Sequence, residues 1–508
     1  MLKNEEVLKV LSGKLYVSGL IIMVIYIVGM LIIGIYCNKK YANTLSNFLT
    51  GGRSLGPWLF ALVYGSTYFS SSTMVGNAGT GYKAGVAWLF MPATQFICLP
   101  LGILIFSYGL RKMSVILNVM TVPDFISERY KSPLSGALGS ILIIVFMIPY
   151  MVAVVKGGAV SLQTLLNVSY SVAALLVCGV AGAYMVAGGY MARAYTDFVQ
   201  GILMFIGALV TFVLGFKVLG GPAGIAAKLA SIDFNLVETP GPLGWSGIFL
   251  FSTVFGIAPW GLPQLVQTNF TIKKREVVYT SAIFLSIWAA IVLFCANGSG
   301  VMARAYFGDK LIKNPDLAFP MFVLSMMPNI MGTIVICSII AAAMSTIDGV
   351  LMTAGTAFSC DIYKKFINKN ASESAVLKLT SAIMLIITVI VYFLALNPPQ
   401  MLLYLTSYAF SVIAAAFIAP IFFGIYWKKG TSAGCLASMI SGTVFTLIWY
   451  ALQNNGKFPL GLPPFLSGMI VSFLVFFIVS KYTLQLPADF IEKLFSEDID
   501  LEIYEDVH

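Results

Sequence analysis

Three oxygen-bearing side chains fall within four positions of one another in a stretch otherwise made of small and apolar residues. Residues 341–363 read AAAMSTIDGVLMTAGTAFSCDIY, inside an apolar run that begins near Phe319. Ser345 and Thr346 supply adjacent hydroxyls, and Asp348 adds a carboxylate two residues on. Oxygen donors of this kind suit a small hard cation. An acid at bilayer depth marks a functional site by default. The competing reading is structural: the hydroxyls bond back to carbonyls of their own helix, and Asp348 sits at a wet helix end. The small residues around them (Ala341, Ala342, Ala343, Gly349, Ala354, Gly355) allow helices to approach closely in a membrane.

The elements that must position these groups are membrane spans. The chain has 508 residues, of which 59% are hydrophobic and only 10% charged, and its mean hydropathy is +0.91. A soluble domain is about 25% charged, so this is an all-α polytopic membrane protein. A span takes roughly 20 apolar residues, and on that measure about thirteen are expected, from 17–37 to 464–483. The 319–358 stretch exceeds one span and has room for a short external helix as well. No cleavable signal peptide is evident, because the first apolar stretch is long enough to span. The net charge of +9 is explained by basic residues gathered in alternate loops rather than by nucleic acid. Those loops carry Lys39, Lys40 and Arg53; Arg111, Lys112, Arg129 and Lys131; Arg193; Lys273, Lys274 and Arg275; Lys364, Lys365 and Lys369; and Lys428 and Lys429. The positive-inside rule makes that side cytoplasmic, with the N-terminus outside and the C-terminus inside. The segment around Arg304, Lys310 and Lys313 runs against the rule. The seven cysteines form no CxxC pair and read as small buried hydrophobes. The single histidine is His508, so histidine catalysis or metal binding is excluded, and neither a nucleophile–base pair nor a metal cluster points to an enzyme.

Two spans are interrupted. The second carries Gly65, Ser66 and Thr67, then Ser70 to Thr73, then Gly76; the seventh carries Gly256, Pro259, Gly261 and Pro263. They lie five spans apart, an odd number, so the two halves would be inverted relative to each other. Paired interrupted spans in matching positions point to a transporter's binding site, because a broken helix frees carbonyls and amides for an ion or solute. The alternative is that Gly and Pro simply kink two ordinary spans.

Several motifs occur in order between Phe48 and Tyr426: FLTGGRSLGPW, YFSSSTMVGNAGTGYKAG, TVPDFISERY, GGYMARAYTDFVQG, WGLPQ and the AAAMST…DIY stretch. Together they resemble the sodium:solute symporter family, which includes pantothenate and proline permeases. The resemblance implies two inverted five-helix repeats, with one helix before and two after. It divides the chain into 1–50, 51–220, 221–430, 431–485 and an acidic, amphipathic cytoplasmic tail at 486–508. It implies a co-transported sodium ion held by Ser66, Phe69, Ala342, Ser345 and Thr346. Asp197, in the T-D-x-x-Q pattern, is carried over as part of a possible second sodium site, and Asp348, three residues after Ser345 and so on nearly the same helix face, could help hold that ion. For Asp197 the other reading is an acid at a wet helix terminus paired with Arg193. For Asp348 it is a pair with a basic residue.

The solute-lining residues implied by the resemblance are Ser72, Thr73, Tyr150, Phe255 and Pro259. Lys156 lies in the middle of the 136–166 span, where a lysine is costly unless paired or facing water. It is either the counter-charge of a substrate carboxylate or the partner of an internal acid. Tyr68 stands where proline permeases have an aspartate, which favours a monocarboxylate such as pantothenate over proline. The expected partners are thus a small organic solute and the lipid bilayer, and the expected activity is sodium-driven symport by alternating access. A proton-coupled transporter using Asp197 or Asp348, or a solute sensor on the same fold, would be the alternatives.

Overall fold

The computed structural model describes residues 4–41, 44–308, 312, 314–397, 402–453 and 458–496. These residues are helical almost throughout; an isolated bridge between Leu55 and Ile272 is their only β pairing. The helices that matter here are α1 (Asn4–Tyr41), α2 (Pro57–Tyr68), α3 (Asn77–Ala84), α4 (Phe90–Ile116), α5 (Val122–Arg129), α6 (Pro133–Leu166) and α7 (Tyr170–Leu219). They continue with α8 (Gly244–Ile257), α9 (Pro263–Thr268), α10 (Arg275–Phe307), α11 (Ala318–Met326), α12 (Asn329–Thr356) and α13 (Glu373–Ala395). The last four are α14 (Leu402–Tyr426), α15 (Ser432–Ala451), α16 (Pro464–Tyr482) and α17 (Ala488–Phe495).

Eleven stretches of the described residues are long and apolar enough to cross a bilayer, against about thirteen expected on length. Two features separate the numbers. The first is α7, whose 50 residues would make a straight rod of about 75 Å, far beyond a ~30 Å hydrocarbon core. It turns at Gly189, where φ 62° and ψ −153° leave helical space and a side chain would collide with Phe48. The second is α2, which at 12 residues is too short to span alone and is separated from α3 by a break. The long 319–358 run divides as expected into the short α11 and the long α12, with Met327 extended between them.

Local signals set the ends of these helices. Pro57, Pro133 and Pro464 occupy first turns, where no N–H is needed. Ser132, Ser372 and Thr431 cap the helices that follow by accepting from Ser135 N, Ala375 N and Gly434 N. Apolar residues all round a helix mean burial, and α12 and α14 are the most enclosed of the described spans. By contrast α1 buries Met23, Tyr26 and Met30 on one face and exposes Ile21, Ile25, Ile32 and Ile35 on the other, as a lipid-facing helix does.

Basic loops meet at one end of the bundle. There Lys365 pairs with Asp124 and, at 3.8 Å, with Glu128. Arg129 donates to the Gly424 carbonyl at 2.8 Å. The tail helix α17 docks at the same end, with Lys131 over Phe490 at 4.6 Å and Lys428 over Phe495 at 5.8 Å. Residues 497–508, the acidic part of the tail, lie outside the described residues, as do Lys310, Lys313 and His508.

A broken-helix cation site and the acids beneath it

The second interrupted span breaks at Phe69, where φ −89° and ψ 85° take the chain out of the helix after its N–H closes on the Gly65 carbonyl at 2.9 Å. Ser70 restarts it: its hydroxyl accepts from Thr73 N at 3.2 Å, the work of an N-cap. A π turn over Ser72–Gly76 then leads into α3. The seventh span breaks in the same manner. There α8 ends at Ile257, Ala258–Gly261 form a tight turn through Pro259, Leu262 is extended, and Pro263 opens α9.

Across the first break stands α12. Ser345 Oγ donates to the Ser66 carbonyl at 3.0 Å and lies 3.2 Å from the Ala342 carbonyl. Thr346 Oγ1 lies 3.1 Å from the Thr67 carbonyl and 3.2 Å from Ala342 O. All five residues are fully buried. The hydroxyls therefore do both things weighed in the sequence: they bond back to their own helix and reach across to the broken one. The result is a set of hydroxyl and carbonyl oxygens at one point, a donor set for a small hard cation. Phe69 sits at the break itself, one turn from Ser66.

The acids form a second layer. Asp197 Oδ2 accepts from Thr67 Oγ1 at 3.2 Å and pairs with Arg193 Nε at 3.4 Å. Asp348 Oδ1 lies 3.8 Å from the same nitrogen, and Tyr184 donates to Asp348 Oδ2 at 2.8 Å. Arg193 also donates to Thr67 Oγ1 at 2.8 Å. Neither acid stands at a wet helix end: Asp197, Asp348 and Arg193 are 0% exposed. One base faces two acids, and Asp197 Oδ1 and Asp348 Oδ1 have no hydrogen-bond partner among the described residues. Thr67 joins the layers, with its carbonyl turned to Thr346 and its hydroxyl to the acids.

The expected solute-lining residues fall into two groups. Ser72 and Thr73 gather at the break: Ser70 Oγ lies 2.7 Å from Ser72 Oγ and 3.0 Å from Thr73 Oγ1, and Thr406 on α14 donates to Ser72 at 3.1 Å. The buried Tyr150 hydroxyl lies near those of Ser70 and Thr346 without completing a hydrogen bond. Its ring packs on Phe410 at 4.8 Å, and Phe255 packs on the same ring at 5.9 Å. Pro259 shapes the second break, where its carbonyl accepts from Leu262 N. Lys156 pairs with an acid, its ammonium 3.2 Å from Asp316 Oδ2. A cavity of about 760 Å³ lies elsewhere, at the basic-loop end, lined by Thr121, Asp124, Asp361 and Lys365 among others.

Three features were not read from the sequence. Tyr68 donates to the Phe255 carbonyl at 2.6 Å and accepts from Gln95, tying one broken helix to the other. Thr67 was noted only as part of an interruption. Gln264 and Gln267, on α9 packed against α2 and α12, are buried with no hydrogen-bond partner for either amide among the described residues. Polar residues on a break helix are the one local signal that marks them.

Comparison with known proteins agrees with this architecture. The model of the sodium:solute symporter family matches residues 48–442. The sodium/pantothenate symporter of Haemophilus influenzae is 30% identical over 431 residues, 83% of this chain and 88% of the relative. The osmoregulated proline transporter of Bacillus subtilis is 27% identical, covering 90% and 94%. Among solved structures, a Na+-coupled sialic acid symporter in a substrate-bound outward-open state superposes with a TM-score of 0.77 at 19% identity, covering 92% of this chain and 98% of that one. Paired broken helices, a hydroxyl–carbonyl cluster between the first of them and α12, and a family match across most of the length lead to one assignment: this chain belongs to the sodium:solute symporter family and is a multi-pass membrane protein that couples sodium to the transport of a small organic solute.

Proposed function

We propose that the driving sodium ion binds between Ser66, Phe69, Ala342, Ser345 and Thr346, and that the solute is a small monocarboxylate of the pantothenate type. The observation that carries the ion site is the approach of the Ser345 and Thr346 hydroxyls to the Ser66 and Thr67 carbonyls. A hydroxyl keeps a lone pair while its hydrogen is engaged, so these oxygens can turn to an ion without leaving their helices. An ion there bridges α2 and α12. It drives transport only to the extent that it binds the solute-competent state better than the other state. The solute lies beside it, lined by Ser72, Thr73, Tyr150, Phe255 and Pro259, with the unpartnered Tyr150 hydroxyl and the Gln264 and Gln267 amides as polar contacts. Asp197 and Asp348 provide room for a second sodium, because one arginine leaves the pair short of a positive charge.

The substrate class rests on Tyr68, which occupies an aspartate position of proline permeases, and on the similarity to pantothenate symporters. The two broken helices belong to inverted repeats at 51–220 and 221–430, flanked by 1–50, 431–485 and the tail. Alternating access then moves one set of helices against the other around the fixed site. The N-terminus is outside, and the basic-loop end with its cavity is cytoplasmic.

The test is uptake into proteoliposomes of labelled pantothenate, proline and short monocarboxylates under inward sodium or inward choline at fixed pH. Sodium-stimulated accumulation of a carboxylate supports the proposal, and accumulation of proline alone replaces the substrate class. Stimulation by a proton gradient but not by sodium would move coupling to Asp197 or Asp348.

A further inference from the structure

We propose that Lys156 selects the carboxylate of the solute, and that Asp316 is its built-in stand-in, occupying the ammonium until the solute displaces it. The inference rests on the reading of the solute as a small carboxylate. A lysine in the middle of a span is tolerated when it is paired, and Lys156 is: its ammonium lies 3.2 Å from Asp316, with both side chains under a tenth exposed. The position of the pair is what gives it a function. The backbone around Lys156 is wedged against the break. Ser71 Oγ donates to the Val154 carbonyl at 2.6 Å, and a side chain at Gly157 would stand 2.9 Å from Ser71 Oγ. Asp316 lies beside α3, in a single tight turn, Pro315–Leu317. That turn rests on α3: a side chain at Gly79 would come within 2.8 Å of the Pro315 carbonyl. The ion pair therefore closes the space between α6 and α3 just beyond Ser72 and Thr73, at the end of the bundle opposite the basic loops.

The chemistry fits exchange of like for like. A buried ammonium deprived of its partner is strongly unfavourable, so Lys156 releases Asp316 only to another anion. A carboxylate of single charge preserves both geometry and neutrality. Asp316 belongs to a connecting turn rather than to a spanning helix, so its withdrawal leaves the spans packed. A solute lacking the carboxylate has nothing to offer Lys156 and leaves the pair shut, which is discrimination through an unpaired site group.

The test compares pantothenate with its alcohol analogue pantothenol in sodium-driven uptake by reconstituted wild-type, Lys156→Met and Asp316→Asn proteins and by the double exchange Lys156→Asp/Asp316→Lys. Lys156→Met is expected to raise KM for pantothenate about ten- to a hundredfold, the loss of a hydrogen bond to a charged group, and to strengthen rather than weaken inhibition by pantothenol, because the pair that shuts it out is gone. Asp316→Asn is expected to lower KM for pantothenate, because the competitor is gone. The double exchange keeps the pair, and hence the fold, yet is expected to lose pantothenate uptake. Equal losses for both solutes in the single variants, or full pantothenate uptake by the double exchange, would reduce the pair to a structural tie and overturn the proposal. A wild-type protein that accumulates no carboxylate at all defeats the substrate reading itself, a result separable from these.

Discussion

Ser345→Ala and Thr346→Ala each delete one hydroxyl from the cluster at the break while leaving α12 its small-residue surface. Each lost hydrogen bond costs the fold only about 1 kcal/mol, so both proteins should assemble. Each loses a cation ligand, however, and the sodium concentration for half-maximal uptake is expected to rise about tenfold per ligand, the equivalent of 1.4 kcal/mol. A sodium titration at saturating solute measures it, and unchanged half-saturation in both variants would remove the ion from this place. Arg193→Ala should behave differently. It leaves Asp197 and Asp348 buried without their guanidinium, and removing one partner of a buried pair costs about 3–5 kcal/mol. The thermal midpoint in detergent should fall well before transport can be assayed. At this scale the sequence was informative where chemistry is local. Ser345 and Thr346 are neighbours in the chain, and adjacency marked them as a pair of donors, whereas Asp348, grouped with them in the sequence, faces Arg193 and Tyr184 instead. Thr67 and Tyr68 were opaque because their partners, Asp197 and Phe255, lie 130 and 187 positions away. Lys156 was legible as an anomaly, but its partner Asp316, 160 positions on, was not.

Two glycines of α10 separate packing from propensity at the scale of the element. A side chain at Gly300 would stand 1.9 Å from the Ala78 carbonyl, whereas at Gly298 the nearest atom is 4.0 Å away on Phe212. Alanine in a helix interior is favoured over glycine by about 1 kcal/mol, so Gly298→Ala should be neutral or stabilising. Gly300→Ala must push α10 off the segment that follows the first break. A lower melting midpoint and weakened sodium-dependent uptake are expected for Gly300→Ala alone. Equal behaviour of the two variants would show that α3 does not need this close approach. Both breaks were legible in sequence because Gly, Ser and Pro clusters interrupt otherwise apolar spans. Their exact hinge was not: the first lies at Phe69 and Ser70, set by where Ser70 finds the Thr73 amide, and not at Gly65 or Gly76. The span count differs because α7 runs as one 50-residue helix through the Gly189 turn and because α2 is too short to count as a span by itself.

For the molecule as a whole, the orientation in the membrane decides from which side sodium and solute enter. The basic loops share one end of the bundle, where Lys365 meets Asp124 and the tail helix meets Lys131 and Lys428. The span broken at Phe69 starts at that end: Leu55, just before it, bridges to Ile272. It finishes at the other end, where Gly85 is pressed against the Leu236 carbonyl. Glu238 and Lys369 are both exposed and mark the two ends. With basic loops retained in the cytoplasm, Glu238→Cys should react with an impermeant maleimide on intact cells, and Lys369→Cys only after permeabilisation. Wild type, whose seven cysteines are all buried or half-buried, provides the blank. This pattern puts the Lys156–Asp316 pair on the side from which solute arrives and the 760 Å³ cavity on the side to which it leaves. The reverse labelling would exchange those roles: Lys156 would then meet the solute on exit, and a carboxylate preference at that residue would appear in efflux rather than in uptake.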